Sequence, residues 1–72
     1  MSHAYQLLSS LKQTKFNNEI LMACYVQVGK ECYENNDFSG RDYWNERYFQ
    51  MSCENELLEK DIRKIKEELK LP

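Results

Sequence analysis

Apolar residues recur through the second half of the chain at alternating spacings of four and three. The series is Trp44, Tyr48, Met51, Asn55, Leu58, Ile62, Ile65 and Leu69, and every member except Asn55 is apolar or aromatic. A repeat of about 3.5 residues is the seam along which α-helices supercoil. In heptad letters Trp44, Met51, Leu58 and Ile65 take d, and Tyr48, Asn55, Ile62 and Leu69 take a. Asn55 has two readings. A single buried asparagine at an a position lowers stability but fixes register and partner number by pairing with a counterpart, so a leucine there would raise stability and loosen that choice. The other reading is that Asn55 faces solvent where the seam is thin.

The flanking charges bear on orientation. In a parallel pair Asp61 would meet Lys66, which is favourable, but Glu54 would meet Glu59, which is not. An antiparallel arrangement fits better, and the first half of the chain supplies the partner. Leu21, Tyr25, Val28 and Cys32 repeat the four-three-four spacing. With a turn near Asp37, residues whose numbers sum to about 74 lie opposite one another in an antiparallel hairpin. Tyr5 then meets Leu69, Leu8 comes near Ile65, Leu11 near Ile62 and Leu21 near Cys53. Residues 20–26, Ile-Leu-Met-Ala-Cys-Tyr-Val, are apolar on nearly every side of a helix, and a helix apolar all round is buried all round. One neighbour covers one face. The surplus, with Phe49 and Leu57 outside the seam, predicts a second hairpin and a homodimeric four-helix bundle.

The helix limits follow from breakers and caps. There are two glycines and one proline, and the proline is the last residue. Turn formers cluster at 34–40. This predicts helix over about 3–34, a turn at 35–39 and helix over about 40–70. Ser2 is the expected first cap, and residues 13–18 either continue the first helix or break it. Ser39 is the expected second cap, with Asp42 in the capping-box place and a Phe38–Tyr43 staple.

Composition sharpens the need for a partner. A single domain of 72 residues rarely draws more than about 3–5 kcal/mol from its core and is usually reinforced by disulfides, metal or oligomerisation. Cys24, Cys32 and Cys53 are odd in number, form no C-x-x-C pair and match no common zinc pattern. No metal or cofactor is expected. Three unpaired thiols, no signal-peptide pattern and no apolar run near ~20 residues lead to the expectation of a cytoplasmic protein. The net charge of −2 disfavours nucleic acid, although Lys12, Lys15, Arg63, Lys64 and Lys66 are brought near one another by the antiparallel pairing.

Candidate chemistry is sparse. Glu54, Glu56, Glu59, Asp61, Glu67 and Glu68 lie among lysines at ordinary surface spacings, whereas catalytic carboxyls need desolvation or a close partner. His3, the one histidine, sits in an end expected to fray, so a Cys–His nucleophile is not expected. No catalytic residue is expected. The aromatic cluster Tyr43, Trp44, Tyr48 and Phe49, with Tyr33 and Phe38 near the turn and Arg41 and Arg47 beside them, either fills the closed end of the hairpin or forms a partner surface.

Tyr25, Gly29 and Phe38 stand at the spacing of a tetratricopeptide repeat, but Arg41 occupies its small-residue position and Asn45 an aromatic one. A lone repeat would also be unstable. In size, acidity, helix content and absence of motif the whole chain resembles the small early-region proteins of lambdoid phages. Some of those are helical hairpins that modulate the host or the choice between lysis and lysogeny. The resemblance carries over no functional residue. It implies a non-enzymatic protein-binding regulator. A nucleic-acid-binding helical dimer and a structural subunit of a larger assembly are the alternatives.

Overall fold

The computed structural model describes residues 3–71. Helix α1 spans His3–Glu34 and helix α2 spans Phe38–Glu68. They pack against each other as an antiparallel hairpin measuring 53 × 17 × 15 Å. The expected cap Ser2 lies outside the described residues. Helix α1 runs unbroken through 13–18, where the Gln13 and Asn17 side chains bond one another at 3.0 Å along the helix.

The turn occupies residues 35–37. Asn36 takes a left-handed conformation with φ of 62°. Its N–H donates to the Tyr33 carbonyl and the Asp37 N–H to the Cys32 carbonyl, at 3.1 and 2.7 Å. These two bonds close α1 as a Schellman motif, with asparagine in the place glycine usually takes. The cap of α2 is Asp37, whose carboxylate accepts from the Gly40 N–H at 2.9 Å. This corrects the expectation for Ser39, which lies inside the helix. The Schellman closure delivers the chain to its next start at once, and Asp37 is the first side chain able to accept there. Asp42 consequently falls beyond the first turn and pairs with Arg41 at 3.0 Å. Phe38 meets the Tyr33 ring edge-on at 5.9 Å instead of stapling to Tyr43.

Gly40 spares this cap a clash. A Cβ there would lie 2.4 Å from the Asp37 Oδ2 atom and 3.0 Å from the Cys32 sulfur. Lys70, with φ of 58°, closes α2 in the same way as Asn36 closes α1. The Lys70 N–H donates to the Glu67 carbonyl and the Leu71 N–H to that of Lys66.

The face of α1 turned toward α2 differs from the expected one. Leu8, Asn18 and Gly29 are buried, and Ala4, Leu11, Lys15, Met22, Tyr25 and Cys32 are partly buried. Together they form one series spaced four and three apart. Val28 is partly buried beside it, but Leu21 is 42% exposed and Met22 takes the inward position. Tyr5 likewise stands outside, and Ala4 joins Leu69 and Leu11 around the small core of Leu8, Ile62 and Ile65. The rotation of about 50° that separates the two faces cannot be chosen from apolar residues alone, because 20–26 offers them on every side. What chooses it is the polar pair described next, Asn18 with Asn55.

Candidate interaction surfaces

The hairpin has two apolar ends and a polar waist. At the open end lie Leu8, Ile62 and Ile65, and at the closed end Tyr25 stacks on Trp44 with ring centroids 5.5 Å apart. Between them Asn18 and Asn55 face each other, both buried. The Asn18 Nδ2 donates to the Asn55 Oδ1 at 2.9 Å. The Asn55 Nδ2 in turn points to the Lys15 carbonyl at 3.4 Å and the Met22 sulfur at 3.7 Å. Asn55 therefore takes the buried reading, but its counterpart lies within the same chain. That pairing was not apparent from the spacing of the second helix, since it needs the face of the first.

One turn away, the Lys15 ammonium reaches Glu59 across the interface at 2.8 Å and Glu19 along its own helix at 3.4 Å. The hydrogen bond from Lys15 holds the Glu59 carboxyl below the usual range, and the bond to Glu59 raises the Lys15 ammonium. Arg63 adds a 3.6 Å contact to the same carboxylate. Asn18–Asn55 and Lys15–Glu59 have residue numbers that sum to 73 and 74, so they share one register.

Of the remaining seam residues of α2, Trp44, Met51, Leu58 and Leu69 are partly buried. Tyr48 is 38% exposed. Its opposite number, Tyr25, is already stacked on Trp44, and Tyr48 is left at the margin, where it lines an open groove of about 370 Å³ with Glu19, Met22, Ala23 and Val26. Two more grooves open on this flank. One is bordered by Lys12, Phe16 and Lys66, the other by Ser52, Asn55 and Glu56, and Lys15, Glu19 and Glu59 border both.

At the closed end Arg41 lies over the rings of Tyr33 and Phe38, 5.6 and 5.2 Å from their centroids. Tyr43 meets Trp44 edge-on at 4.9 Å, and Arg47 lies 5.9 Å above Tyr25. The aromatic group thus divides: Trp44, stacked on Tyr25, fills the end, while Tyr33, Phe38 and Tyr43 remain about half exposed. Phe49 belongs to neither and is 68% exposed. Cys32 is partly buried, and burial with the neighbouring Asp37 pushes its thiol up. Cys24 and Cys53 are exposed.

Among the described residues no group of three or more metal-ligating side chains gathers, and no helix is long and apolar enough to cross a membrane. No family model matches the chain, and no curated protein or solved structure matches it significantly.

Proposed function

We propose that the chain is a non-enzymatic protein–protein interaction module that works as a homodimer, two hairpins packing as a four-helix bundle. One observation carries this reading. Among the described residues the buried apolar side chains are Leu8, Ile62 and Ile65, while Phe16, Ile20, Val26, Phe49 and Leu57 stand half or more exposed. Scattered apolar residues are normal on a surface, but a hairpin with more large apolar side chains outside than inside is incomplete as a monomer. Glu59 argues against catalysis. Glu59 is held ionised by Lys15 on a half-exposed face, the reverse of what an acid or base catalyst near neutral pH requires.

The resemblance in type to early-region phage proteins gives this module its biological setting, a regulator acting in the host cytoplasm. The half-exposed ring cluster of Tyr33, Phe38 and Tyr43, with Arg41 among it, is the surface offered to a further protein. The nucleic-acid alternative fares less well. Lys12, Lys15 and Lys66 do border one cleft, but Glu19 and Glu59 border it too, and Lys15 and Arg63 both contact Glu59. Sedimentation equilibrium tests the reading: a dimer at micromolar concentration is expected, and a monomer at every accessible concentration would refute it.

A further inference from the structure

We propose that two copies associate through the outer stripe of α1 from Lys12 to Glu34, antiparallel, about a two-fold axis that passes Ala23. This rests on the self-association reading above and adds its face, its orientation and its axis.

Lys12, Phe16, Ile20, Ala23, Val26, Lys30 and Glu34 are spaced three or four apart, form one stripe of the helix and are all exposed. Phe16, Ile20 and Val26 are 57%, 50% and 53% exposed, and the small Ala23 between them allows two backbones to approach. The stripe borders the same flank as the groove that Tyr48 and Val26 share, so α2 contributes to the rim.

Two grounds fix the occupant: one calls for a partner of ordinary interface size, the other makes that partner a copy of this chain. The first is area. The chain exposes 5640 Å², whereas a compact monomer of its 8.7 kDa is expected to expose about 4700 Å². The excess of roughly 900 Å² is close to the ~800 Å² that each partner buries in a standard interface.

The second ground is self-complementarity, which an isologous interface demands. With Ala23 on the axis, residues equally far on either side of it face one another. Ile20 then meets the partner's Val26, Phe16 meets the partner's Lys30, and Lys12 meets the partner's Glu34. Apolar falls on apolar, a cation on an aromatic ring, and a cation on a carboxylate. A parallel pairing would set Lys12, Lys30 and Glu34 each against its own copy. The opposite flank is a poorer candidate, because Leu7 there shares its groove with the charged Asp61, Lys64 and Glu68.

A residue on a two-fold axis meets its own counterpart, and cross-linking reads this directly. In a chain carrying Cys24→Ser, Cys32→Ser and Cys53→Ser, Ala23→Cys should oxidise to a disulfide-linked dimer, while Leu21→Cys on the same background should not. Cross-linking through Leu21→Cys and not Ala23→Cys overturns the proposed face. Ile20→Glu places one buried charge in each copy's half of the interface and should weaken dimerisation about 100-fold by sedimentation. A dimer that Ile20→Glu leaves unchanged also overturns the face, yet keeps the self-association reading. A wild-type monomer overturns both. If Ile20→Glu fails to fold, the cross-linking result decides alone.

Discussion

Replacing Asn55 with leucine removes the acceptor that the Asn18 amide uses at 2.9 Å and leaves that amide facing an alkyl chain. From the second helix alone, the substitution reads as stabilising, because leucine is the favoured occupant of a seam. The structure reverses the sign. A buried donor left without a partner costs about 1–3 kcal/mol, and the leucine recovers little of this, because it points at the Lys15 carbonyl and the Asn18 amide. The expected net loss is about 1–2 kcal/mol for Asn55→Leu and the same for Asn18→Leu. The double variant leaves no orphan and should return to wild-type stability or above, since replacing both partners by apolar groups is near neutral. The resulting coupling in a double-mutant cycle is about 2 kcal/mol or more. Urea unfolding followed by far-ultraviolet circular dichroism measures it, with all variants at one protein concentration because dimerisation contributes to apparent stability. Additive effects, or a more stable Asn55→Leu single variant, would refute the paired waist.

The two glycines should respond oppositely to alanine. At Gly29 a Cβ would sit 3.4 Å from the Asn45 amide oxygen and 3.8 Å from the Trp44 Cβ, so Gly29→Ala should gain about 1 kcal/mol from helix propensity. Gly40→Ala would displace the Asp37 cap and crowd Cys32, and losing a cap costs about 1 kcal/mol; thermal unfolding should show no gain there. The Lys15–Glu59 pair gives a pH window. Glu59 is lowered, so its contribution is fully present above its unfolded pKa of about 4.3 and lost as pH falls through the lower folded value. Lys15 is raised, so its contribution is present below about 10.4 and lost at higher pH. Glu59→Gln should flatten the acid limb of stability against pH, and an unchanged limb would count against the pair. Cys32, partly buried with its thiol pushed up, should react with a thiol reagent more slowly than the exposed Cys24 and Cys53, as peptide mapping after limited labelling would show.

Helix α2 was legible because its apolar residues sustain one four-three series, despite outliers such as Phe49 and Leu57, and that series is where Ile62 and Ile65 are buried. Helix α1 was legible as a helix but not as a face. Leu21 is the more apolar of Leu21 and Met22, so local hydrophobicity favours the one that stands outside. The deciding residues are Lys15 and Asn18, whose polarity argued for the outside until Glu59 and Asn55 were placed opposite them. A four-three series through Leu8, Leu11, Lys15, Asn18, Met22 and Tyr25 was present in the chain, but hydrophobic patterning passes over it. The cap at Asp37 was hidden differently. Asp37 and Ser39 are both good cap formers, and only the left-handed turn at Asn36 determines which one reaches the first free N–H groups.

The polar waist explains how a helix apolar on so many sides keeps one partner face. A heptad pattern repeats, so the two helices could slide by one repeat and still bring apolar residues together. Such a slip would set Asn55 against Leu11 or Tyr25, and Asn18 against Ile62 or Tyr48. Two orphaned amides would then cost about 2–6 kcal/mol, at about 1–3 kcal/mol each. That is comparable to the ~3–5 kcal/mol such a small core supplies. In one direction the slip would also place Lys15 against Lys66. The apolar residues therefore drive the helices together without choosing among registers, and Asn18, Asn55, Lys15 and Glu59 make the choice. The same reasoning leaves the outer stripe of α1 free to be apolar, because a chain whose inner register is fixed by polar pairs can carry exposed Phe16, Ile20 and Val26 without the hairpin refolding around them.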